Sequence, residues 1–365
     1  MRAVIRIKNI PILPVLIIVT ICIFSVIVLY SISSSGFSSR CFKQVIWIML
    51  GLIVLLLTCL ININFWERSA ELFYLLCLTL LATVAIAGKV SMGAQRWLDL
   101  YFFNLQPSEL MRVFLIITLS KYFSLLTIEN TQKTYFMLFV TLIIALPVIL
   151  VLVEPDLGTA IMLLLVSLAV IFVSGIQVWK LFALFVAGVC AIPIIWKMLH
   201  KYQRNRILML LSPEQDPNGA GYHIIQSQIA IGSGGFWGKG FMGGTQCQLD
   251  FLPEKQTDFV FAALAEELGF MGCIALVLLY TLLLIYNTNV SLRAKNKFNQ
   301  ILVFGLNAMM FFYIIINISM ICGIMPIVGI PLPFFSYGGN ALIVLMFCQG
   351  LIFTVDIEQK RVAYH

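Results

Sequence analysis

The chain has 365 residues, of which 61% are hydrophobic and only 11% charged, and its mean hydropathy is +1.02. A soluble domain carries roughly a quarter of its residues as Asp, Glu, Lys and Arg, so a water-facing surface of the usual kind is excluded and the chain belongs in a membrane. The net charge of +7 does not argue for nucleic acid, because the cations lie mostly at the ends of apolar runs, where they meet the membrane surface.

The N-terminal Met1 to Lys8 is basic and leads into a long apolar segment without a small-residue cleavage site, the pattern of an uncleaved first span. Apolar runs of about 20 residues, the length that crosses a hydrocarbon core, then fall near 11–31, 43–62, 70–88, 108–127, 135–153, 157–175, 178–199, 259–286, 299–322 and 339–356. Alternating barrel-strand patterns are absent, so the expected fold is an all-α polytopic membrane protein of about ten transmembrane helices. It forms a single membrane domain over 1–365, with a large external loop at 200–258 between helices 7 and 8. Placing the N-terminus in the cytoplasm puts Arg2, Arg6, Lys8, Arg68, Lys133, Lys180, Arg293, Lys295, Lys297, Lys360 and Arg361 on the inside. The short outer loops then keep only Arg40, Lys43, Lys89 and Arg96. The positive-inside rule thus favours both termini in the cytoplasm.

With that orientation every chemically unusual loop is external. These are Gly93-Ala-Gln-Arg-Trp97 leading to Gln106-Pro-Ser-Glu109, Glu154-Pro-Asp-Leu-Gly-Thr159, the long loop ending at Leu252-Pro-Glu-Lys-Gln-Thr-Asp258, and Pro326 to Pro333 followed by Ser336-Tyr-Gly-Gly339. Asp258 has two readings: first-turn electrostatics behind a Thr257 cap, or a carboxylate at the mouth of a cavity, placed to take a proton from a hydroxyl. Glu109 suits the start of a helix after Pro107. Yet Arg112, three residues on, shares its face, and together they suggest an intramembrane ion pair. Asp156 also fits as a cap. Glu266 and Glu267 lie about 12 Å into the helix that Asp258 begins, so at least one of them should face protein, in a structural pair or a chemical role.

Gly232-Ser-Gly-Gly-Phe-Trp-Gly-Lys-Gly240 fails as a phosphate-binding P-loop: Ser233 stands where the first glycine belongs, Gly240 replaces Ser/Thr, and no βαβ context exists. Its glycines, with Arg204, Arg206, Lys239 and Lys255, either form an anion-binding surface or mark tight turns. Tyr222 to Ile231 reads as a short helix at the membrane interface. The nine Cys have no paired spacing and only three His are present, so neither a disulfide framework nor a zinc site is implied.

In this order the motifs Gly-Ala-Gln-Arg-Trp, Gln-Pro-Ser-Glu, Pro-Asp-Leu-Gly-Thr, Ala-Ile-Gly-Ser-Gly-Gly, Phe-Leu-Pro-Glu-Lys-x-Thr-Asp-Phe and Pro-Leu-Pro-x-x-Ser-Tyr-Gly-Gly resemble the SEDS family (shape, elongation, division and sporulation). Gly93–Trp97, Val328-Gly-Ile-Pro331 and Ala265-Glu-Glu-Leu-Gly269 look more like its rod-shape, RodA-like branch than its division branch. The resemblance implies a peptidoglycan glycosyltransferase in the bacterial cytoplasmic membrane. It would polymerise lipid II into undecaprenyl-linked glycan on the outer face during cell elongation, beside a class B penicillin-binding protein and the elongation machinery. It also implies Asp258 as the catalytic residue. Glu109, Arg112, Asp156, Arg96, Arg204, Arg206, Lys239, Lys255 and Ser336 are candidates for substrate binding or for lining the cavity. No cofactor is required by the sequence; a divalent cation, Mg or Mn, is one candidate for offsetting the pyrophosphate charge. Two departures stand out: Arg112 replaces the family's common Lys, and Gln256 replaces a His before Thr-Asp. A flippase for the same lipid, or a scaffold for a partner enzyme, are the competing readings.

Overall fold

The computed structural model describes residues 6, 9–33, 39–91, 94–99, 104–125, 133–177, scattered positions between 179 and 197, 201–211, 220–249, 251 and 255–363. Most of the expected span 178–199, Gly93 of the first outer motif and parts of the 200–258 loop lie outside them.

The expected apolar runs become helices α1 (Ile12–Ile32), α2 (Ser39–Leu60), α4 (Ala70–Ala87), α5 (Pro107–Leu125), α6 (Thr134–Val153), α7 (Leu157–Val173), α11 (Val260–Arg293), α12 (Lys297–Ile321) and α13 (Gly339–Ala363), with the short α3 (Ile63–Arg68) between α2 and α4. Three further helices, α8 (Lys201–Leu211), α9 (Ala220–Gly234) and α10 (Thr245–Gln248), fall in the 200–258 stretch. Among the described residues seven helices are long and apolar enough to cross a membrane, so the chain is a polytopic helical membrane protein.

α5 is not one of those seven, and its surroundings explain why. Fourteen of its 19 residues are buried, including Glu109 and Arg112, and it packs against α4, α7, α12 and α13. A helix enclosed on all sides by protein can carry charges that a lipid-facing span cannot. α2 and α13 lie closest together. A Cβ added at Gly51 would come within 2.7 Å of the Leu342 side chain, and one at Gly350 within 2.7 Å of Thr58 Cβ, the close approach that small residues permit between membrane helices.

Two features were not expected from hydropathy. Residues Lys89–Ser91 (β1), Ala94–Asp99 (β2) and Asn104–Leu105 (β3) form a small antiparallel sheet in the order β1-β2-β3, with Val90 opposite Gln95 and Asp99 opposite Asn104. In addition, α11 runs seven residues beyond the expected end at 286 and breaks internally at Gly269 (φ 64°, ψ −161°), a conformation open essentially to glycine alone.

Candidate functional site

The sequence motifs that lie far apart along the chain converge at one end of the bundle. A cavity of about 490 Å³ is lined by Trp47 of α2, Arg96 and Trp97 of β2, Gln106, Glu109 and Arg112 around the start of α5, Asp156 and Thr159 at the start of α7, and Thr257 and Asp258 before α11. Gly329–Pro331 and Tyr337–Ala341 close it. Its volume is within the roughly 300–1,000 Å³ of small-molecule sites.

Each charged group has a structural reason for its position. Pro107 is the first residue of α5, where a missing N–H costs nothing and φ is already helical. Glu109 and Arg112 then fall one turn apart. The Arg112 NH1 lies 3.1 Å from Glu109 Oε2, and the Tyr313 hydroxyl of α12 donates to the same carboxylate oxygen at 2.6 Å and meets Arg112 NH1. The second guanidinium nitrogen donates to Thr159 Oγ1 at 3.1 Å. The Thr159 hydroxyl in turn donates to Asp156 Oδ2 at 2.8 Å, and Arg96 Nε is 3.1 Å from that oxygen. Asp156 also caps α7, accepting from the Thr159 N–H at 3.2 Å. Glu109, Tyr313, Arg112, Thr159, Asp156 and Arg96 thus form one continuous polar chain across α5, α7, α12 and β2. Glu109, Arg112 and Asp156 are each at most 4% exposed.

Asp258 sits at the other wall, half-buried, in a turn two residues ahead of α11. The helix is capped at Phe259, so Thr257 is not its cap and first-turn electrostatics do not account for the placement of Asp258. Its backbone is held instead: Asn317 Nδ2 of α12 donates to the Asp258 carbonyl at 3.1 Å and to the Ile330 carbonyl at 2.7 Å. The carboxylate lies beside Gly329, where an added Cβ would be 3.7 Å from Asp258 Oδ2. Gln256 accepts from Arg40 NH1 at 3.1 Å through its side-chain oxygen and from the Tyr337 N–H at 2.9 Å through its backbone carbonyl.

Glu154, just outside α6, is 2% exposed. Burial, reinforced by the Asp156 charge and partly offset by Arg96, pushes its carboxyl up to about 8, so it stands mostly protonated near neutrality.

Other candidates lie elsewhere. Lys239 Nζ is 2.7 Å from the buried Glu266 Oε1, which also accepts from Thr245 Oγ1 at 3.1 Å and the Gln246 N–H at 3.0 Å. The glycine-rich passage clasps the α11 break: the N–H groups of Lys239 and Gly240 donate to the Glu266 and Glu267 carbonyls at 3.0 and 2.9 Å. An added Cβ at Gly269 would stand 2.3 Å from Gly238 N. Its donors are therefore spent on the protein's own backbone, which favours turns over an anion surface. Glu267 accepts from Ser31 Oγ at 2.5 Å. Ser336 is buried and its hydroxyl accepts from the Leu332 N–H at 2.8 Å, so it fixes the Pro331–Pro333 turn behind the cavity wall. Arg204 donates to the Lys197 carbonyl at 2.7 Å and Lys255 to that of Cys247. The Arg206 side chain lies outside the described residues.

Trp47, Tyr313 and Asn317 are site or supporting residues that the sequence did not single out. They sit inside helices among apolar neighbours, where nothing local marks which face meets the cavity. Among the described residues no group of three or more His, Cys, Asp or Glu could hold a metal ion. Glu109 and Asp156 are each already engaged by an arginine.

Fold and cavity together define a polytopic membrane protein with a charged pocket at one end of its helix bundle. The sequence model of the cell cycle protein family that takes in FtsW, RodA and SpoVE matches residues 9–361, and the chain belongs to that family. It is 42% identical over 356 residues to the peptidoglycan glycosyltransferase MrdB of Escherichia coli K12, covering 95% of this chain and 94% of that one. To a probable peptidoglycan glycosyltransferase FtsW of Aliivibrio salmonicida it is 33% identical, covering 87% and 79%. Among solved structures it superposes on a chain of a peptidoglycan synthase complex with a TM-score of 0.84, 28% identity and coverage of 96% and 98%. On the rod shape determining protein RodA of Thermus thermophilus the TM-score is 0.72, with 26% identity and coverage of 95% and 96%.

Proposed function

We propose that this chain is a peptidoglycan glycosyltransferase that joins lipid II units into glycan strands at the outer face of the bacterial cytoplasmic membrane during cell elongation. The observation that carries this reading is the cavity in which the Asp258 carboxylate opposes a polar chain that includes Arg96 and Arg112. In the reaction, Asp258 takes the proton of the acceptor sugar's 4-hydroxyl. The freed oxygen forms a bond to the donor's anomeric carbon from the face opposite the pyrophosphate. The anomeric C–O bond breaks with its electron pair, and undecaprenyl pyrophosphate leaves. A positioned base of this kind is worth typically 10²–10⁴-fold, and cationic groups aimed at the departing charge add to it.

Arg96, half-buried on β2, and Arg112 at the base of the cavity are the groups we assign to the pyrophosphate. Glu109 and Asp156 hold those guanidinium groups in place. A Mg or Mn ion arriving with the pyrophosphate would add Lewis-acid stabilisation at its oxygens. In this reading the chain is one membrane domain with ten spans, cytoplasmic termini and a large external loop over 200–258. A class B penicillin-binding protein supplies crosslinking beside it, a pairing supported by the likeness to a chain of a synthase complex that coordinates polymerization and crosslinking.

The test is polymerisation of labelled lipid II by purified protein with its cognate penicillin-binding protein. Glycan strands from the native chain and none from Asp258→Asn, with folding and complex formation intact, are the expected result. Lipid movement between leaflets that survives the substitution, with no strands from the native chain, would establish the flippase reading instead.

A further inference from the structure

A second cavity, of about 440 Å³, opens at the other end of the bundle. Its position follows from the helices that it shares with the first. α13 starts at Gly339, which lines the Asp258 cavity, and carries Asp356 and Lys360 into the second. At about 1.5 Å per residue the 17 positions from Gly339 to Asp356 span about 25 Å. α11 likewise begins beside Asp258 and ends at Arg293, and α12 begins two residues after Lys295 and reaches Asn317 beneath Asp258. The two cavities therefore face opposite membrane surfaces.

The second cavity holds uncompensated positive charge. Its two carboxylates are already neutralised: Asp356 Oδ2 accepts from Lys360 Nζ at 2.6 Å and Tyr286 OH at 2.9 Å, and Glu358 Oε1 accepts from Arg6 NH2 at 2.7 Å and the Ile63 N–H at 3.3 Å. Arg293 and Lys295 line the same space and make no salt bridge with a carboxylate of the described residues. Asn299 lines it too; it is 9% exposed, and its Oδ1 meets no donor among the described residues. An apolar track leads away from this site. Leu282, Ile285 and Leu292 of α11, spaced to share one helix face, are 53%, 53% and 70% exposed.

We propose that this cavity binds the headgroup of an anionic phospholipid of the leaflet opposite the Asp258 side, its phosphate on Arg293 and Lys295. A headgroup hydroxyl completes Asn299, and an acyl chain follows Leu292, Ile285 and Leu282. Basic pockets between helix ends suit such headgroups. A free anion or an acidic peptide would use the cations alone, whereas a phospholipid would also meet the apolar face that α11 presents to the bilayer.

Full-length protein in neutral detergent, titrated with phosphatidylglycerol or phosphatidylcholine, tests this by native mass spectrometry and by the unfolding midpoint. Phosphatidylglycerol should bind at least about tenfold better and raise the midpoint. Arg293→Gln and Lys295→Gln should each weaken it about fivefold and the pair about 25-fold, while Lys133→Gln, a cation at the start of α6, changes nothing. Equal binding of the two lipids overturns the proposal, as does a preference that survives the double substitution or falls equally with Lys133→Gln. Inorganic phosphate that raises the midpoint as much as the lipid would make the site one for free anions. A poly-glutamate peptide that binds where the lipid does not would make it a protein-docking site. Either result defeats the phospholipid assignment.

Discussion

Two regions of this chain place glycine-rich sequence and buried acids side by side, and they do opposite things. Around the first cavity, Glu109, Asp156 and Asp258 line an open space with Arg96 and Arg112, and Gly329 lets the backbone pass beside the Asp258 carboxylate without filling that space. At the α11 break, Glu266 is sealed at 0% exposure by Lys239, Thr245 and a backbone N–H, and Gly238 and Gly269 touch each other through their backbones. The charges are of the same kind in both places. What separates them is whether a group still faces accessible space once the fold has closed. A carboxylate that faces open space can act on a substrate, whereas Glu266 is shut away from that space: Oε1 accepts three donors and Oε2 is buried without one among the described residues, so its charge serves the α11 break.

That contrast can be broken in order of expected effect. Asp258→Asn should lower polymerisation by about 10²–10⁴-fold with the unfolding midpoint nearly unchanged, measured on labelled lipid II and by thermal unfolding in the same preparation. A midpoint collapse would move Asp258 into the structural class. Glu109→Gln leaves the Arg112 charge buried without its carboxylate, and a broken buried pair costs about 3–5 kcal/mol. Both stability and polymerisation should fall, and Arg112→Lys, which keeps the charge but loses the fork that reaches Thr159, should fall less.

Gly269→Ala meets the Gly238 backbone and a positive φ, a strain of about 1–3 kcal/mol. Stability should drop while polymerisation per folded molecule stays at the native level, and a selective loss of turnover would show that the clasp also shapes the site. The smallest effect is a pH dependence. Glu154 has a folded value raised to about 8, above its unfolded one, so its contribution is fully present below the usual carboxylate range and is lost as pH rises through 8. The native midpoint should decline from about pH 5 to pH 8 and level off above that, and Glu154→Gln should flatten the decline.

Much of the bundle could be read directly from the chain, because crossing a hydrocarbon core demands about 20 apolar residues and nothing else in the sequence mimics that signal. The Glu109–Arg112 pair was equally legible, since two charges one turn apart inside an apolar run have few stable arrangements. The β1-β2-β3 sheet was not. Its strands are two to six residues long, too short for an alternation to stand out beside long apolar helices. Lys239, Lys255, Arg204 and Ser336 looked like candidates because polar groups outside the membrane are chemically interesting, yet in the fold each is occupied by a neighbour. Trp47, Tyr313 and Asn317 went unnoticed for the converse reason.

The sequence alone determined that this is a helical membrane protein, roughly where its helices run, and which loops hold the unusual polar motifs, because hydropathy and local charge act within one segment. Only the tertiary structure decided that Arg96, Glu109, Arg112, Asp156 and Asp258 share a single cavity and that Lys239 and Glu266 do not. Which face of each helix meets which neighbour depends on packing between segments far apart in the chain, and no local pattern encodes it.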